Sequence, residues 1–562
     1  MSDPKTIVDY AAHWEREAPD RLHFIQPLGG AATNLATWTF GQAVREARRM
    51  AAYLRSLKLP PKSRIAICSK NCAHWIIADW AIWMADHVSV PLYPNLNAST
   101  VRYILEHSDA RLLFVGKLDP IWDEMQRGVP AGMLRVAFPL ARPSADPRWD
   151  DLISGHEPLA ELAQRAPEEM ATIVYTSGST GTPKGVMLSF GAISAATAGI
   201  CKLFDLSPND RMLSYLPMAH TMERWLAGCA STQAGFQIFF ADSVDSFVDD
   251  LKRARPTLFL SVPRLWLKFQ SGVLRKLPQK RLERLLGLPI VGSLVKRKVL
   301  QNLGLDAVRI AGSGSAPMPP ELMAWYRALG LELLEGYGMS ENFNYSHVSR
   351  PGHVRVGYVG NAYEGVECKI SPEGEVLIKS PGMMLGYFKQ PNETRAAFTE
   401  GGFFKTGDRG SIDELGRLRI TGRIKEIFKT SKGKYVAPAP IEGELINHPR
   451  IEQCCVSGAG QPQPYGLLVL DRASKAALDS GGKPAIEAEL VAQLEHVNAG
   501  LEGPEQLQFL CVVGDEWLPE NGFLTPSLKI KRSRVEDAYS SYVPGWYSQR
   551  RKVVWAEARV TH

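Results

Sequence analysis

Residues 175–186 read YTSGSTGTPKGV: three glycines, five aliphatic hydroxyls and one lysine, directly behind the short apolar stretch 171–174. Glycines let a backbone turn tightly and bring its N–H groups close to an anion. Thr176, Ser177, Ser179, Thr180 and Thr182 add hydroxyl donors around Gly178 and Gly181, and Lys184 adds a point charge suited to phosphate oxygens. The apolar stretch reads as a strand end, so this is a loop built to hold a polyphosphate. The GxxxxGK[ST] loop is excluded, because Lys184 stands between Pro183 and Gly185, and GxGxxG fails on spacing. A flexible linker has no reason to end in Thr-Pro-Lys-Gly and run on into apolar 186–188.

At 562 residues the chain exceeds what one core supports, so two or more domains are expected. No uninterrupted apolar run reaches the roughly 18–20 residues of a membrane span, and the first residues lack the pattern of a signal peptide. The eight cysteines form no disulfide-like or zinc-like array. A cytoplasmic protein is expected. A net charge of +6 is modest for this length and does not suggest nucleic acid. One local bias stands out: residues 275–298 carry eight Lys and Arg against the single acid Glu283, with leucines interleaved. Such a segment rests on an anionic membrane surface as a peripheral contact, or it is a solvated helix face.

Residues 40–57 have helical spacing and stop at Pro60-Pro61; Arg64–Cys68 reads as a buried strand, 73–85 as a helix and Val88–Leu92 as a strand. This rhythm predicts parallel sheets covered by helices. Residues 139–167 are weakly patterned. From 357 to 420 short strands and turns (375–378, 410–413, 418–420) predict a small β-rich subdomain. After about Lys425, strands at 454–456, 466–470 and 509–513 surround a helix at 484–499, with Pro484 at its first position and Gly500 past its end. The expected fold is α/β: a large N-terminal domain of two parallel-type sheets with helices and the β-rich subdomain, then a small mobile α+β C-terminal domain. The boundary is set at 1–424 and 425–562.

Gly336-Tyr337-Gly338-Met339-Ser340-Glu341 puts glycines on either side of an aromatic ring, which lets a flat base lie against it. Glu341 offers a hard carboxylate suited to Mg2+. The two oxygens of Asp408, at a probable strand end, suit the two hydroxyls of a ribose.

The twelve residues 175–186 resemble, without a gap, the phosphate signature of the adenylate-forming (AMP-binding) superfamily. The resemblance extends in family order from about residue 35 to 535. It implies that Tyr337 lies on adenine, Glu341 on magnesium and Asp408 on the ribose, inside the matching segment GYFKQPNETRAAFTEGGFFKTGD. Ser340 stands where relatives have Thr. Gly422-Arg423-Ile424-Lys425-Glu426 resembles the hinge motif, with Arg423 near the ribose and phosphates and Lys425 as the pivot. Glu426 replaces the usual Asp. Lys432, Gly433 and Lys434 fall on the CoA-facing loop, where Lys432 replaces a common Gly. Residues 524–532, LTPSLKIKR, resemble the motif of the adenylation lysine, and the register selects Lys529 over Lys531. A fixed cation between carboxylate and α-phosphate stabilises developing negative charge.

Residues 214–225, SYLPMAHTMERW, resemble a family segment beside the carboxylate pocket, with His220 facing it; 261–266 and 312–317 (GSGSAP) resemble segments along the acyl tunnel and nucleotide. Ser315, Ala316 and Pro317 join the ATP contacts. Gly312, Met222, Trp225, Phe259 and Trp266 are expected at the acyl pocket with His220. LPMAHTMERW with SVPRLWLKFQ looks most like long-chain fatty acyl-CoA synthetases. The expected reaction uses ATP, Mg2+, a fatty acid and CoA: acyl-adenylate and pyrophosphate form first, then the CoA thiol attacks. Each buried methylene contributes about 0.8 kcal/mol, so acids of about twelve carbons or more are expected over acetate and benzoate. The alternatives are an acyl-AMP ligase that loads a carrier-protein thiol, and a binding protein that kept the fold without chemistry. Oligomeric state stays open.

Overall fold

The computed structural model of the protein describes residues 5–29, 34–176, 182–525 and 528–556, so Ser177, Gly178, Ser179, Thr180 and Gly181 lie outside the described residues. The helix Phe40–Ser56 opens on a reciprocal cap, Gln42 N–H to Thr39 Oγ1 at 3.3 Å and Thr39 N–H to Gln42 Oε1 at 2.9 Å. Strands Arg64–Cys68 and Val88–Leu92 pair parallel in full register, Arg64 opposite Val88 and Cys68 opposite Leu92. Between them in sequence lies the helix Ala73–Met84, whose every residue is buried. An all-round apolar helix has to be enclosed. It contacts strands of both large sheets and joins their cores.

One large sheet has nine strands. Its neighbouring strands Arg211–Ser214, Leu258–Ser261, Ile310–Ser313 and Leu333–Tyr337 run parallel. The motifs at 214–225, 261–266, 312–317 and 336–341 therefore all leave the sheet at one edge, the carboxyl ends where α/β sheets take their ligands. The other large sheet has seven strands. Within it Met170–Thr176 lies parallel to Val88–Leu92 and then returns antiparallel as Lys184–Ser189, with Thr176 opposite Lys184. The phosphate loop thus connects a β-hairpin and does not lead into a helix.

The β-rich subdomain is a four-stranded antiparallel sheet around Val376, Ile378 and Leu418. One of its strands is longer than the sequence suggested, Phe404–Ile412 rather than 410–413. The weakly patterned stretch 139–167 contains a short helix, Trp149–Ser154.

The C-terminal sheet joins Ile451–Ser457, Tyr465–Leu470, Leu510–Val512 and Val553–Trp555. Its two faces build separate cores by strict alternation. Cys454, Leu468, Leu510 and Val553 pack with the helix Lys483–Ala499, whereas Cys455, Leu467, Cys511 and Val554 pack with the helices Arg532–Tyr539 and Val543–Ser548. Pro484 takes the second helical position, one later than expected. All eight cysteines are free. Among the described residues no helix is long and apolar enough to cross a membrane.

Candidate active site

Three motifs meet at Asp408. The strand Phe404–Ile412 sets it opposite Arg423 on the strand Leu418–Arg423. Arg423 Nε lies 2.9 Å from Asp408 Oδ1, and Tyr337 donates its hydroxyl to Oδ2 at 2.6 Å. Burial and the neighbouring Asp408 charge push the Tyr337 phenol well above its ordinary range, so it stays a donor. Gly338 is required here, because a Cβ would lie 2.5 Å from the Asn344 carbonyl oxygen.

A second group forms around Glu341. Its Oε1 accepts the Tyr387 hydroxyl at 3.0 Å, and its backbone carbonyl accepts from Met384 N at 2.7 Å. Tyr387 is held by the two-residue strand Gly386–Tyr387, which pairs with Lys184–Ser189. Lys184 Nζ sits 5.0 Å from the centre of the Tyr387 ring and is ion-paired with Glu393. Sequence reasoning named neither Tyr387 nor Glu393, although both lie in the family-like segment it quoted.

Lys529 reaches this cleft from the C-terminal part. Its turn is closed by Lys529 N–H to Thr525 Oγ1 at 3.0 Å and Thr525 N–H to the Lys529 carbonyl at 2.7 Å. The side chain is solvent-accessible yet surrounded by protein. That surrounding lowers its pKa from the ordinary lysine range, as does Arg423, while Asp408, Glu341 and Glu426 pull it back. Burial and the Lys529 charge hold His220 at about 4, a neutral imidazole. Met222 N–H donates to His220 Nδ1 at 3.1 Å, which fixes the ring. A further tie between the two parts is the ion pair of Arg264, in the helix Pro263–Lys276, with Glu452 in the strand Ile451–Ser457.

The segment 214–225 is held by buried polar groups that sequence reasoning did not single out. Asn71 donates to Ser214 Oγ at 2.8 Å and to the Leu216 carbonyl at 2.7 Å, and its own carbonyl accepts from Met218 N at 3.2 Å. Glu223 accepts from Tyr215 N at 3.0 Å, and burial pushes its carboxyl up to about 8. Arg224 meets Asp79 with two hydrogen bonds, at 2.9 and 2.7 Å, and donates to Thr172 Oγ1 and Ser89 Oγ, each at 2.6 Å. Burial pushes the Asp79 carboxyl up and Arg224 draws it back. Residues 224–230 wind as a π-helix, a rare irregularity that is frequent at functional sites.

The remaining expected residues fall as follows. Ser315, Ala316 and Pro317 are exposed after the strand Ile310–Ser313, with Ser315 at φ +70°. Met339 and Ser340 are half-buried, and Ser340 Oγ lies 3.4 Å from Thr221 Oγ1, which links this motif to the His220 segment. Lys425 is exposed in the one-turn helix Ile424–Glu426, after the last strand of the β-rich sheet. Lys432, Gly433 and Lys434 form the exposed turn between Phe428–Lys429 and Tyr435–Val436, where the φ of +79° at Gly433 calls for glycine.

The acyl-pocket set is not gathered on one wall. Phe259 and Trp266 pack edge to face at 5.1 Å in one core, where Trp266 Nε1 donates to the Gly312 carbonyl at 3.3 Å. Trp225 belongs to the other core, edge-on to Tyr345 and Tyr363 at 6.4 and 6.0 Å, with Met222 half-buried against it.

The model of the AMP-binding enzyme family matches residues 11–388, and that of the AMP-binding enzyme C-terminal domain matches 425–551. The long-chain-fatty-acid–CoA ligase FadD15 of Mycobacterium bovis is 30% identical, over 95% of this chain and 96% of its own length. Fatty acyl-CoA synthetase A of Dictyostelium discoideum is also 30% identical, over 92% of this chain and 86% of its own. Among solved structures, the adenylation domain of a carboxylate reductase from Mycobacterium chelonae superposes with a TM-score of 0.80 at 20% identity, covering 97% of this chain and 92% of that one. At that identity the likeness concerns the fold.

Proposed function

The chain belongs to the AMP-binding enzyme family, and from that premise we propose that it is a long-chain fatty acid–CoA ligase that works through an acyl-adenylate. One observation carries the reading: Tyr337 and Arg423, from two other motifs, meet Asp408 at 2.6 and 2.9 Å, and the charges of Arg423, Asp408 and Glu341 act on Lys529. In this reading Asp408 accepts the ribose hydroxyls, Tyr337 flanks the base, and Lys184 holds the β- and γ-phosphates. Lys184 leaves Glu393 when the triphosphate arrives, one partner exchanged for another of higher charge. Lys529 lies between the fatty carboxylate and the α-phosphate, where negative charge grows as the acyl–phosphate bond forms and pyrophosphate departs. Neutral His220 lines the carboxylate side without adding a second positive charge.

Glu341 fits a magnesium site. It is a half-buried hard carboxylate, and among the described residues no cluster of three His, Cys, Asp or Glu exists that would bind a metal by itself. Mg2+ takes one or two carboxylates and fills its shell with phosphate and water. When bound it neutralises phosphate charge.

The thiol step belongs to a second arrangement of the C-terminal domain about Lys425, in which Lys529 withdraws and the turn at Lys432, Gly433 and Lys434 approaches the cleft. Acceptor and chain length are tested together. Purified protein with ATP and palmitate releases pyrophosphate, and added free CoA gives palmitoyl-CoA. Pyrophosphate release without a thioester would favour a carrier-protein thiol. Absence of pyrophosphate release with any acid would leave a binding protein.

A further inference from the structure

The helix Pro263–Lys276 leads away from the cleft into two more helices, Gln279–Leu286 and Pro289–Leu303. These two pack closely at Gly292, where a Cβ would lie 2.5 Å from the Leu286 carbonyl oxygen. Their inner face is ordinary core: Leu282, Val299 and Leu303 are buried, with Leu286, Val295 and Leu300 packed beside them. The outer face is not. Leu288 is 47% exposed, Ile290 79%, Val291 40% and Leu294 63%. At 3.6 residues per turn, Ile290 and Leu294 lie on the side of their helix opposite Val299 and Leu303, with Val291 on the flank.

Cations ring this apolar tip. Arg275, Lys276, Lys280, Arg281, Arg284, Arg297 and Lys298 are exposed and Lys296 is half-buried. Among the described residues none of them pairs with a carboxylate. The nearby acid, Glu283, accepts from Gln279 at 2.6 Å. Eight cations and one acid give residues 275–298 a charge of +7 against +6 for the whole chain, so the remaining residues together carry −1. Essentially all of the protein's net charge sits around four exposed aliphatic side chains.

A tip of this kind is poorly served by water: apolar surface is left hydrated and like charges repel. A second copy of the chain would cover the apolar part but bring +7 against +7. Nucleic acid would answer the charge and leave the aliphatic side chains unused. A surface of anionic headgroups over acyl chains answers both. We infer that the helices 279–303 dock on an anionic lipid bilayer, with Leu288, Ile290, Val291 and Leu294 at the headgroup–acyl boundary and the surrounding cations among the phosphates. The contact is peripheral and does not depend on the identity of the substrate.

The test is co-sedimentation of the full chain with vesicles of phosphatidylcholine alone or with one third phosphatidylglycerol. Binding is expected with phosphatidylglycerol, at least tenfold weaker without it, and falling as salt rises. The double variant Ile290→Asp with Leu294→Asp loses at least tenfold of that binding, while its melting temperature and pyrophosphate release with a soluble acid stay unchanged. Arg281→Glu with Arg284→Glu weakens binding severalfold and flattens the salt dependence. Equal binding to both vesicles, or full binding by the aspartate variant, overturns the inference. So does a dimer in sedimentation velocity that the aspartate variant dissolves, because the tip would then be a protein interface.

Discussion

Tyr387 donates its hydroxyl to Glu341 at 3.0 Å while Lys184 rests 5.0 Å from the centre of the same ring. One aromatic side chain therefore holds the expected metal carboxylate and the phosphate lysine in fixed relation. Removing the hydroxyl in Tyr387→Phe frees the carboxylate to rotate. A net hydrogen bond contributes about 0.5–1.5 kcal/mol, so the Mg2+ concentration for half-maximal rate should rise about fivefold. Glu341→Gln should raise it further. A magnesium titration of pyrophosphate release checks both, and wild-type dependence in Glu341→Gln would remove that residue from the metal site.

Lys529→Ala is expected to slow pyrophosphate release about 10²–10³-fold, the scale of losing one fixed group that stabilises transition-state charge. Thioester formation from supplied acyl-adenylate should suffer far less. Lys531→Ala is the matched control. Equal loss in both half-reactions would mean that the lysine acts on folding.

The Arg264–Glu452 pair spans the two parts of the chain while Lys529 is in the cleft. It is partly exposed, so its contribution is about 0–1 kcal/mol. Glu452→Gln should slow pyrophosphate release by no more than about fivefold and raise the ratio of the thioester rate to the adenylation rate. The charge swap Arg264→Glu with Glu452→Arg should restore the ratio. Rapid-quench measurement of both half-reactions decides it; an unchanged ratio in the single variant means that the contact has no weight.

Asp79 and Arg224 form a buried pair, and removing one partner strands the other. Asp79→Ala should cost about 3–5 kcal/mol. Replacing both residues, Asp79→Leu with Arg224→Met, should cost less than the sum of the two single changes. Urea denaturation of the four proteins measures this, and strict additivity would contradict a coupled pair.

The Glu223 carboxyl, ordinarily near 4.5, is pushed up to about 8 by burial. Between those values the folded chain keeps a proton that the unfolded chain has released. The stability from this group is therefore full below about 4.5 and lost as pH rises to about 8. Glu223→Gln keeps the acceptor for Tyr215 N and cannot titrate. Its melting temperature should match wild type near about pH 5 and exceed it near about pH 8. Parallel melting curves across that range would show that Glu223 is ionised throughout.

Much of this was legible from residue order. The strands Arg64–Cys68 and Val88–Leu92 were readable to the residue, because short apolar runs closed by turn residues leave few alternatives. The helix Trp149–Ser154 was not, since six residues are too few to display a period. The hairpin carrying Lys184 was hidden for another reason: both of its strands are apolar, so the direction of the second is set by pairing and not by pattern. Asn71, Tyr387 and Glu393 act on partners 143, 46 and 209 positions away, and only the fold brings them together. Phe259 and Trp266 show the same limit from the other side. They stand beside site motifs in sequence, and their packing against each other in a buried cluster depends on strand and helix faces that residue order alone does not set.

Lys529 lies more than a hundred residues beyond Arg423 and is flanked by Phe523, Leu524 and Ile530 of the C-terminal sheet's second core. The strands that carry Lys184 and Tyr337 pack in other clusters, so the lysine and the groups it acts with are held by separate cores. On the assignment proposed above, the nucleotide contacts and the adenylating cation can therefore be altered separately, each by substitutions in its own core.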